Sequence, residues 1–106
     1  MKIEIKDDIT IKIGRNKEEN WEMLQTNPNF TWLHLNSFPS GYVIIESENP
    51  DNEMIQYAAY LCKNNTKYKN MKNLKICYTL IENVIKGEKV GEVYFKSNRK
   101  VNTIKI

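Results

Sequence analysis

The 106-residue sequence is poor in the side chains that usually carry catalysis or bind metals. It contains one histidine and two cysteines. Cys62 and Cys77 form no CxxC pattern, and with a single histidine they cannot complete a four-ligand zinc site, so we expect reduced thiols and no metal. A Gly-x-Ser-x-Gly elbow, a Walker-type loop and a local Cys/His dyad are also missing. The sequence therefore predicts a protein that is not an enzyme and uses no cofactor.

Long apolar runs are missing as well. No stretch has the length of a membrane span, and residues 1–8 do not resemble a signal peptide. We expect a cytoplasmic protein without membrane contact, with the nucleus as the alternative location. With 41% apolar residues, the chain should form one domain over residues 1–106, with a modest core that needs no disulfide.

Charge is distributed unevenly along the chain. Residues 1–60 contain five Lys/Arg and ten Asp/Glu, whereas residues 61–106 contain eleven Lys/Arg and three Glu. Such asymmetry fits either a polyanion-binding face or a solvated charged surface. Lys63, Lys67 and Lys69 lie near the end of a predicted helix, where they could contact phosphates or the last helix carbonyls.

Apolar periodicity predicts most of the elements. Alternating isoleucines predict strands over 2–6 and 9–13, joined by a tight Asp-Asp turn. Asn16 fits an N-cap, and Glu19 three residues later fits a capping box, so a helix is expected over about 17–26 with Trp21 on its inner face. The remaining pattern predicts strands over 30–35, 42–47, 74–81, 90–95 and 101–106, and a second helix over about 51–65.

The order β-β-α-β-β-α-β-β-β has too few crossovers for a doubly wound parallel sheet. We therefore predict an α+β domain with two helices and a mainly antiparallel or mixed sheet of six to seven strands. Gly14 and Gly41 lie beside predicted turns, where a positive φ or a close backbone approach is expected.

The first candidate site lies where a predicted strand ends and a helix begins. Backbone N–H groups and cations can converge on an anion there. Arg15 and Lys17 are the expected phosphate contacts. Asn16 is expected both to cap the helix and to contact phosphate, and Asn20 lies on the same segment.

A second candidate site lies in the strand TWLHL. If Leu33 and Leu35 point into the core, Trp32 and His34 face outward and offer an aromatic platform for single-stranded nucleic acid. Burial of Trp32 against a helix, and a hydrogen-bonded strand role for His34, are the alternatives.

Five stretches in order, IGRNKEEN, TWLHL, PSGYVII, AAYLCKNNTK and KGEKVGEVYF, resemble the NFACT-R domain family, also called DUF814. The resemblance covers nearly the whole chain. The residues that match the family motifs are Gly14, Arg15, Asn16, Asn20, Trp32, His34, Gly87, Gly91 and Val93. Where family members have Gly-Ser-His after a proline, this sequence has Ser40, Gly41 and Tyr42. Tyr42 can stack or donate one hydrogen bond, but it does not become cationic near pH 7.

The resemblance implies a non-catalytic domain that binds RNA, with tRNA or the ribosome as the partner and translation quality control as the process. DNA is an alternative ligand, and a protein-interaction adaptor in a translation-related complex is the alternative function. The candidate nucleic-acid contacts are Arg15, Asn16, Lys17, Asn20, Trp32, His34, Tyr42, Lys63, Lys67 and Lys69.

Overall fold

Eight strands and two helices make up the chain. The computed structural model describes all residues, 1–106. The strands are β1 (Lys2–Lys6), β2 (Ile9–Ile13), β3 (Thr31–Leu35), β4 (Val43–Ile45), β5 (Lys75–Leu80), β6 (Val84–Lys86), β7 (Val93–Phe95) and β8 (Asn102–Lys105). The helices are α1 (Lys17–Met23) and α2 (Asn52–Asn64).

Six of the strands form one antiparallel sheet in the order β1-β2-β4-β3-β5-β8. β3 is central, and its Leu33 pairs with Val43 on one side and Tyr78 on the other. β6 and β7 pair with each other as a separate hairpin. The predicted α+β class, with a mainly antiparallel sheet and two helices, is confirmed.

The main sheet is covered on both faces. One face, with Leu33 and Leu35, packs against α2 through Met54 and Ala58. The other face carries a second apolar cluster. Its buried members are Met23, Trp32, Tyr42, Ile44, Cys77 and Ile81, and partly buried Val84, Val93 and Phe95 of the β6–β7 hairpin pack against it. Because side chains alternate along a strand, β3 contributes to both clusters.

The predicted bounds of α1, β4 and β7 need correction, and β6 was not predicted, so the chain has eight strands instead of seven. β4 covers only Val43–Ile45 of the strand expected over 42–47. α1 ends at Met23, three residues before the predicted end at residue 26. The strand expected over 90–95 covers only Val93–Phe95, because its partner β6 has only three residues to pair with it. The apolar periodicity did not predict β6. A strand of three residues, Val84–Lys86, is too short to show a clear alternation. The β1–β2 turn is confirmed, with Asp7 and Asp8 both at positive φ.

The cap of α1 is confirmed, but the capping box is not. The Asn16 side chain accepts a hydrogen bond from the Glu19 N–H at 2.8 Å. The Glu19 carboxylate does not return to the Asn16 N–H; it accepts from the Arg15 N–H at 3.0 Å and from the Arg15 guanidinium. Glu19 therefore serves as the counter-ion of both Arg15 and the N-terminal ammonium of Met1, each 2.8 Å from its Oε2.

Gly14 and Gly41 bring two backbone segments into direct contact. The Gly14 N–H donates to the Tyr42 carbonyl at 2.9 Å, and a Cβ on Gly41 would collide with the Gly14 carbonyl oxygen. A Cβ on Gly14 would collide with the Asn20 side chain. The predicted close approach is confirmed at both positions, whereas neither has a positive φ.

We expect Gly41→Ala to lower the free energy of unfolding by about 1–3 kcal/mol, because the added methyl group must push two main chains apart. For a chain of this size, about 4–8 °C of melting temperature is lost per kcal/mol. Gly87→Ala is the matched control, since the nearest atoms to its Cβ, at 2.6–3.0 Å, belong to the exposed side chain of Glu92 and not to main chain. Equal melting temperatures for the two variants and the parent would contradict the close approach.

Candidate nucleic-acid interface

A cleft of about 950 Å³ opens where four segments meet. Its walls come from the start of α1, the loop 36–41, the residues that follow α2, and the β6–β7 hairpin with the turn before β7. The ring of Trp32 on the central strand contributes to its lining. We call this feature the α1 cleft.

The α1 cleft brings most of the candidate residues together. Those that line it are Arg15, Asn16, Lys17, Asn20, Trp32, His34, Tyr42 and Lys67. Lys63 and Lys69 lie outside it. The Lys63 ammonium donates to the main-chain oxygen of Ile106 at 3.2 Å, so it stabilises the end of β8. Nucleic-acid contacts by these two lysines stay a prediction.

The cations of the cleft differ in how far their charge is neutralised. Arg15 is exposed, but its guanidinium lies 2.8 Å from Glu19 in an ion pair. Hydrogen bonds from the Arg15 guanidinium and from the N-terminal ammonium hold the pKa of Glu19 well below its usual range. Lys17 and Lys67 are exposed and form no ion pair. Lys17 and Lys67 are therefore the lysines of the cleft without an ionic partner, and Glu92 is the one acidic residue in its lining.

The phosphate site expected at the start of α1 has fewer free hydrogen-bond donors and a weaker helix dipole than the sequence indicated. α1 has only seven residues, which gives it a small dipole. The Asn16 side-chain oxygen is occupied by the Glu19 N–H. The Glu19 carboxylate occupies the Arg15 N–H as well as the guanidinium. Lys17 keeps an unpaired cation at this end of the cleft.

Trp32 does not form an exposed stacking platform. Its side chain is only 1% exposed, which decides between the two alternatives in favour of burial. His34 lies parallel to it with ring centroids 5.7 Å apart, and Tyr42 and Phe95 meet it edge-on at 5.2 and 5.5 Å. Leu33 and Leu35 do face α2 as expected, but α1 and the β6–β7 hairpin cover the opposite face.

Asn20 and Tyr42 fix the walls of the cleft. Asn20 is buried, and its Oδ1 accepts from the Tyr42 N–H at 2.9 Å while its Nδ2 donates to the Ser40 carbonyl at 3.4 Å. The Tyr42 hydroxyl donates to the Gly91 carbonyl at 2.6 Å, and burial raises the pKa of this hydroxyl to about 12. Both side chains are bonded to main chain, so they position the loop and the hairpin.

The two indole N–H groups of the chain have different surroundings. Trp21, which is half-buried and packs against the second cluster, donates from Nε1 to the Glu92 carbonyl at 3.0 Å. Trp32 Nε1 is buried and has no hydrogen-bond partner. It is the single buried side-chain nitrogen or oxygen in this condition. Native proteins rarely leave such a group unsatisfied.

His34 is held as a neutral imidazole. Its Nδ1 lies 2.6 Å from the Leu35 carbonyl oxygen, so Nδ1 carries the proton. Burial lowers the pKa of His34, and hydrogen bonds to main-chain groups of Leu35 and Ser40 only partly oppose this effect. This geometry agrees with the alternative predicted for His34, a hydrogen-bonded histidine in a strand.

We expect the protein to lose stability as the pH falls below about 6.5, because the unfolded chain binds the His34 proton more readily than the folded chain does. The contribution is fully present above pH 6.5 and declines below it. The melting temperature should therefore be lower at pH 5.5 than at pH 7.5, and His34→Gln should reduce this difference. An imidazole titration by NMR with a midpoint at or above 6.5 would contradict this account.

Several cleft residues were not foreseen from the sequence. Phe38 and Tyr68 line it with ring centroids 4.5 Å apart, and they join the loop 36–41 to the segment after α2. Val90 and Val93 contribute from the β6–β7 hairpin and its turn. An aromatic residue directly before Pro39, in a loop without other apolar residues, is the one signal that could have indicated Phe38.

The described residues contain no group of three or more His, Cys, Asp or Glu side chains placed to hold a metal ion. Both cysteines are free and buried, Cys62 on the α2 face and Cys77 on the opposite face. Burial raises the pKa of these thiols to about 12 and about 11, respectively. Neither helix is long and apolar enough to cross a membrane.

The fold and the cleft define a class: an α+β domain whose antiparallel sheet carries one aromatic, cation-bearing cleft, formed jointly by a short helix and a hairpin. The family model for the NFACT protein RNA binding domain matches residues 2–97, and the chain belongs to this family. The family inferred from the residues is thereby confirmed.

The chain is also similar to an individual sequence and to a solved structure. It is 34% identical over 98 residues to the Rqc2 homolog RqcH of Bacillus subtilis, and the match covers 88% of this chain and 17% of RqcH. The chain thus spans less than a fifth of that relative. The solved C-terminal part of the fibronectin/fibrinogen-binding protein from Streptococcus suis shares the fold, with a TM-score of 0.88 at 20% identity over 98% of this chain and 44% of that one.

Proposed function

We propose that this chain is a non-catalytic RNA-binding domain that acts in ribosome-associated quality control, with tRNA or ribosomal RNA as its ligand. Membership of a family named for RNA binding supports the ligand class. The similarity to RqcH, described as an Rqc2 homolog, supports the process. Arg15 and Asn16 lie at the cleft and contribute as secondary contacts.

The observation that carries this proposal is the pairing of two uncompensated lysines with one aromatic cleft. Lys17 lies at the start of α1 and Lys67 lies beyond the end of α2, and both line the same opening. Lys67 is also held over the ring of Tyr68, with its ammonium 5.4 Å from the ring centroid. Phosphate contacts by such cations supply most of the sequence-independent affinity for RNA.

The test is a titration of fluorescently labelled tRNA and of a single-stranded RNA with the purified chain, followed by anisotropy at several salt concentrations. Saturable binding that weakens steadily with salt is the expected result. The same RNA is then examined on a denaturing gel after incubation with and without Mg²⁺. Intact RNA is expected, and steady cleavage by the chain would contradict the non-catalytic part of the proposal.

If neither RNA binds at low salt, the ligand class is wrong. Retention of a translation-related protein from nuclease-treated lysate would then favour the adaptor function. Binding to duplex DNA as tightly as to RNA would instead contradict the choice of RNA over DNA.

A further inference from the structure

Trp32 presents a hydrogen-bond donor that no group of the protein satisfies. Its Nε1 is buried without a partner, and its ring lines the α1 cleft. An indole nitrogen can only donate, so its partner must be an acceptor. The His34 ring and the Tyr42 hydroxyl donate to the Leu35 and Gly91 carbonyls, and neither supplies an acceptor within hydrogen-bond distance of Nε1. An acceptor from outside the protein would reach Trp32 from the cleft that this residue lines.

The surroundings of Trp32 restrict the chemistry of a ligand that could supply this acceptor. Rings of His34, Tyr42 and Phe95 surround the indole, which favours a flat, partly apolar group. Lys17 and Lys67 line the same cleft and form no ion pair, and with Arg15 they outnumber Glu92, the one acidic lining residue, which favours a negative charge attached to that group. A cleft of about 950 Å³ is within the size range of sites that enclose small ligands.

A nucleotide combines these three properties. Each nucleobase is flat and carries ring-nitrogen or carbonyl acceptors on its edges, and each nucleotide carries a phosphate. Inorganic phosphate lacks the flat ring, and a peptide carbonyl lacks the adjoining anion.

We propose that the α1 cleft takes up one unstacked nucleotide of the bound RNA. A base acceptor atom receives the hydrogen bond from Trp32 Nε1, and Lys17 and Lys67 contact the flanking phosphates. This proposal rests on the RNA-binding function proposed above. Single-stranded RNA, whose bases can leave the stack, is the form that satisfies it.

The ring contacts prepare the indole for this role. His34 lies at 6° to Trp32, and Tyr42 and Phe95 meet it at 75° and 69°, so the indole is enclosed on several sides. A ring held in this way presents its N–H in a fixed direction. A fixed donor loses little conformational freedom when the acceptor arrives.

The experiment follows the two indole N–H signals in ¹H–¹⁵N NMR spectra of the full chain. Trp21 is a built-in control because its N–H is already bonded to the Glu92 carbonyl. Trp21→Phe identifies the remaining signal as that of Trp32. The probes are AMP, GMP, CMP, UMP, a short single-stranded RNA and ribose 5-phosphate.

We expect at least one nucleotide and the RNA to shift the Trp32 indole proton downfield, whereas ribose 5-phosphate leaves it in place and the Trp21 signal stays. Trp32→Phe keeps an aromatic ring, smaller than the indole, and removes the donor, so affinity for the same RNA should fall about 3- to 10-fold, the usual value of one neutral hydrogen bond. The nucleotide-induced shift in the parent chain remains the test if that variant does not fold.

The outcomes separate this proposal from the one on which it rests. RNA binding by anisotropy without any movement of the Trp32 signal would overturn the nucleotide cleft and leave the RNA-binding function standing. An equal shift with ribose 5-phosphate would overturn the base contact. Absence of RNA binding would overturn both proposals.

Discussion

Trp32→Ala should lower the free energy of unfolding by about 3–5 kcal/mol, the usual cost of truncating a large buried aromatic side chain. The ring is 1% exposed and touches His34, Tyr42 and Phe95, which belong to three different segments. Its removal leaves a cavity between the main sheet and the β6–β7 hairpin. Urea unfolding followed by circular dichroism measures the loss.

Trp21→Ala is the control for this prediction. Trp21 is only half-buried and lies under the Lys86 ammonium, which is 5.4 Å from its ring centroid. Its truncation should cost less than that of Trp32. If Trp32→Ala keeps the stability of the parent and loses only RNA affinity, the ring is an exposed platform and the burial described here is wrong.

Lys17→Ala combined with Lys67→Ala should weaken RNA binding by about 2 kcal/mol, or roughly thirtyfold, if each lysine contributes about 1 kcal/mol through one phosphate. Each phosphate contact with a single strand adds about −0.7 to the slope of log K against log salt concentration. The double variant should therefore bind with a slope that is shallower by about 1.4. Anisotropy titrations at four or five salt concentrations provide both numbers.

The matched control is Lys96→Ala combined with Lys100→Ala, which removes the same charge from exposed residues outside the α1 cleft. This control should change the slope little. Arg15→Ala should also have a smaller effect than Lys17→Ala, because the Arg15 guanidinium is bonded to Glu19, whereas Lys17 has no ionic partner. Equal losses for the two double variants would show that general charge, and not the cleft, governs binding.

Much of the fold could be predicted because local signals and long-range packing agree. The isoleucines of β1 and β2 alternate, and Asn16 caps α1 as its side-chain chemistry favours. The cleft residues of the α1 segment and of β3 were predicted for the same reason. Their positions follow from elements whose periodicity is visible in the sequence.

What could not be predicted depends on the β6–β7 hairpin. Its strands have three residues each, which is too few for a periodic pattern. Without the hairpin, only α1 covers the face of the sheet that carries Trp32, so part of that face was expected to stay open as a platform. The pairing of Arg15 with Glu19 could not be predicted for another reason. Glu19 can bond to Arg15, four residues before it, or to the N–H of Asn16, three residues before it, and the sequence does not distinguish the two.

The bonds that join the walls of the cleft have a consequence for the order in which the chain folds. The Tyr42 hydroxyl bonds to a residue 49 positions away, and the Trp21 indole bonds to one 71 positions away. Contacts of such separation form after local structure because the intervening loops must first close. During synthesis from the N-terminus, the cleft cannot be completed before β7 has left the ribosomal exit tunnel. A nascent chain that stops short of Phe95 therefore has five of the six strands of the main sheet and an incomplete α1 cleft.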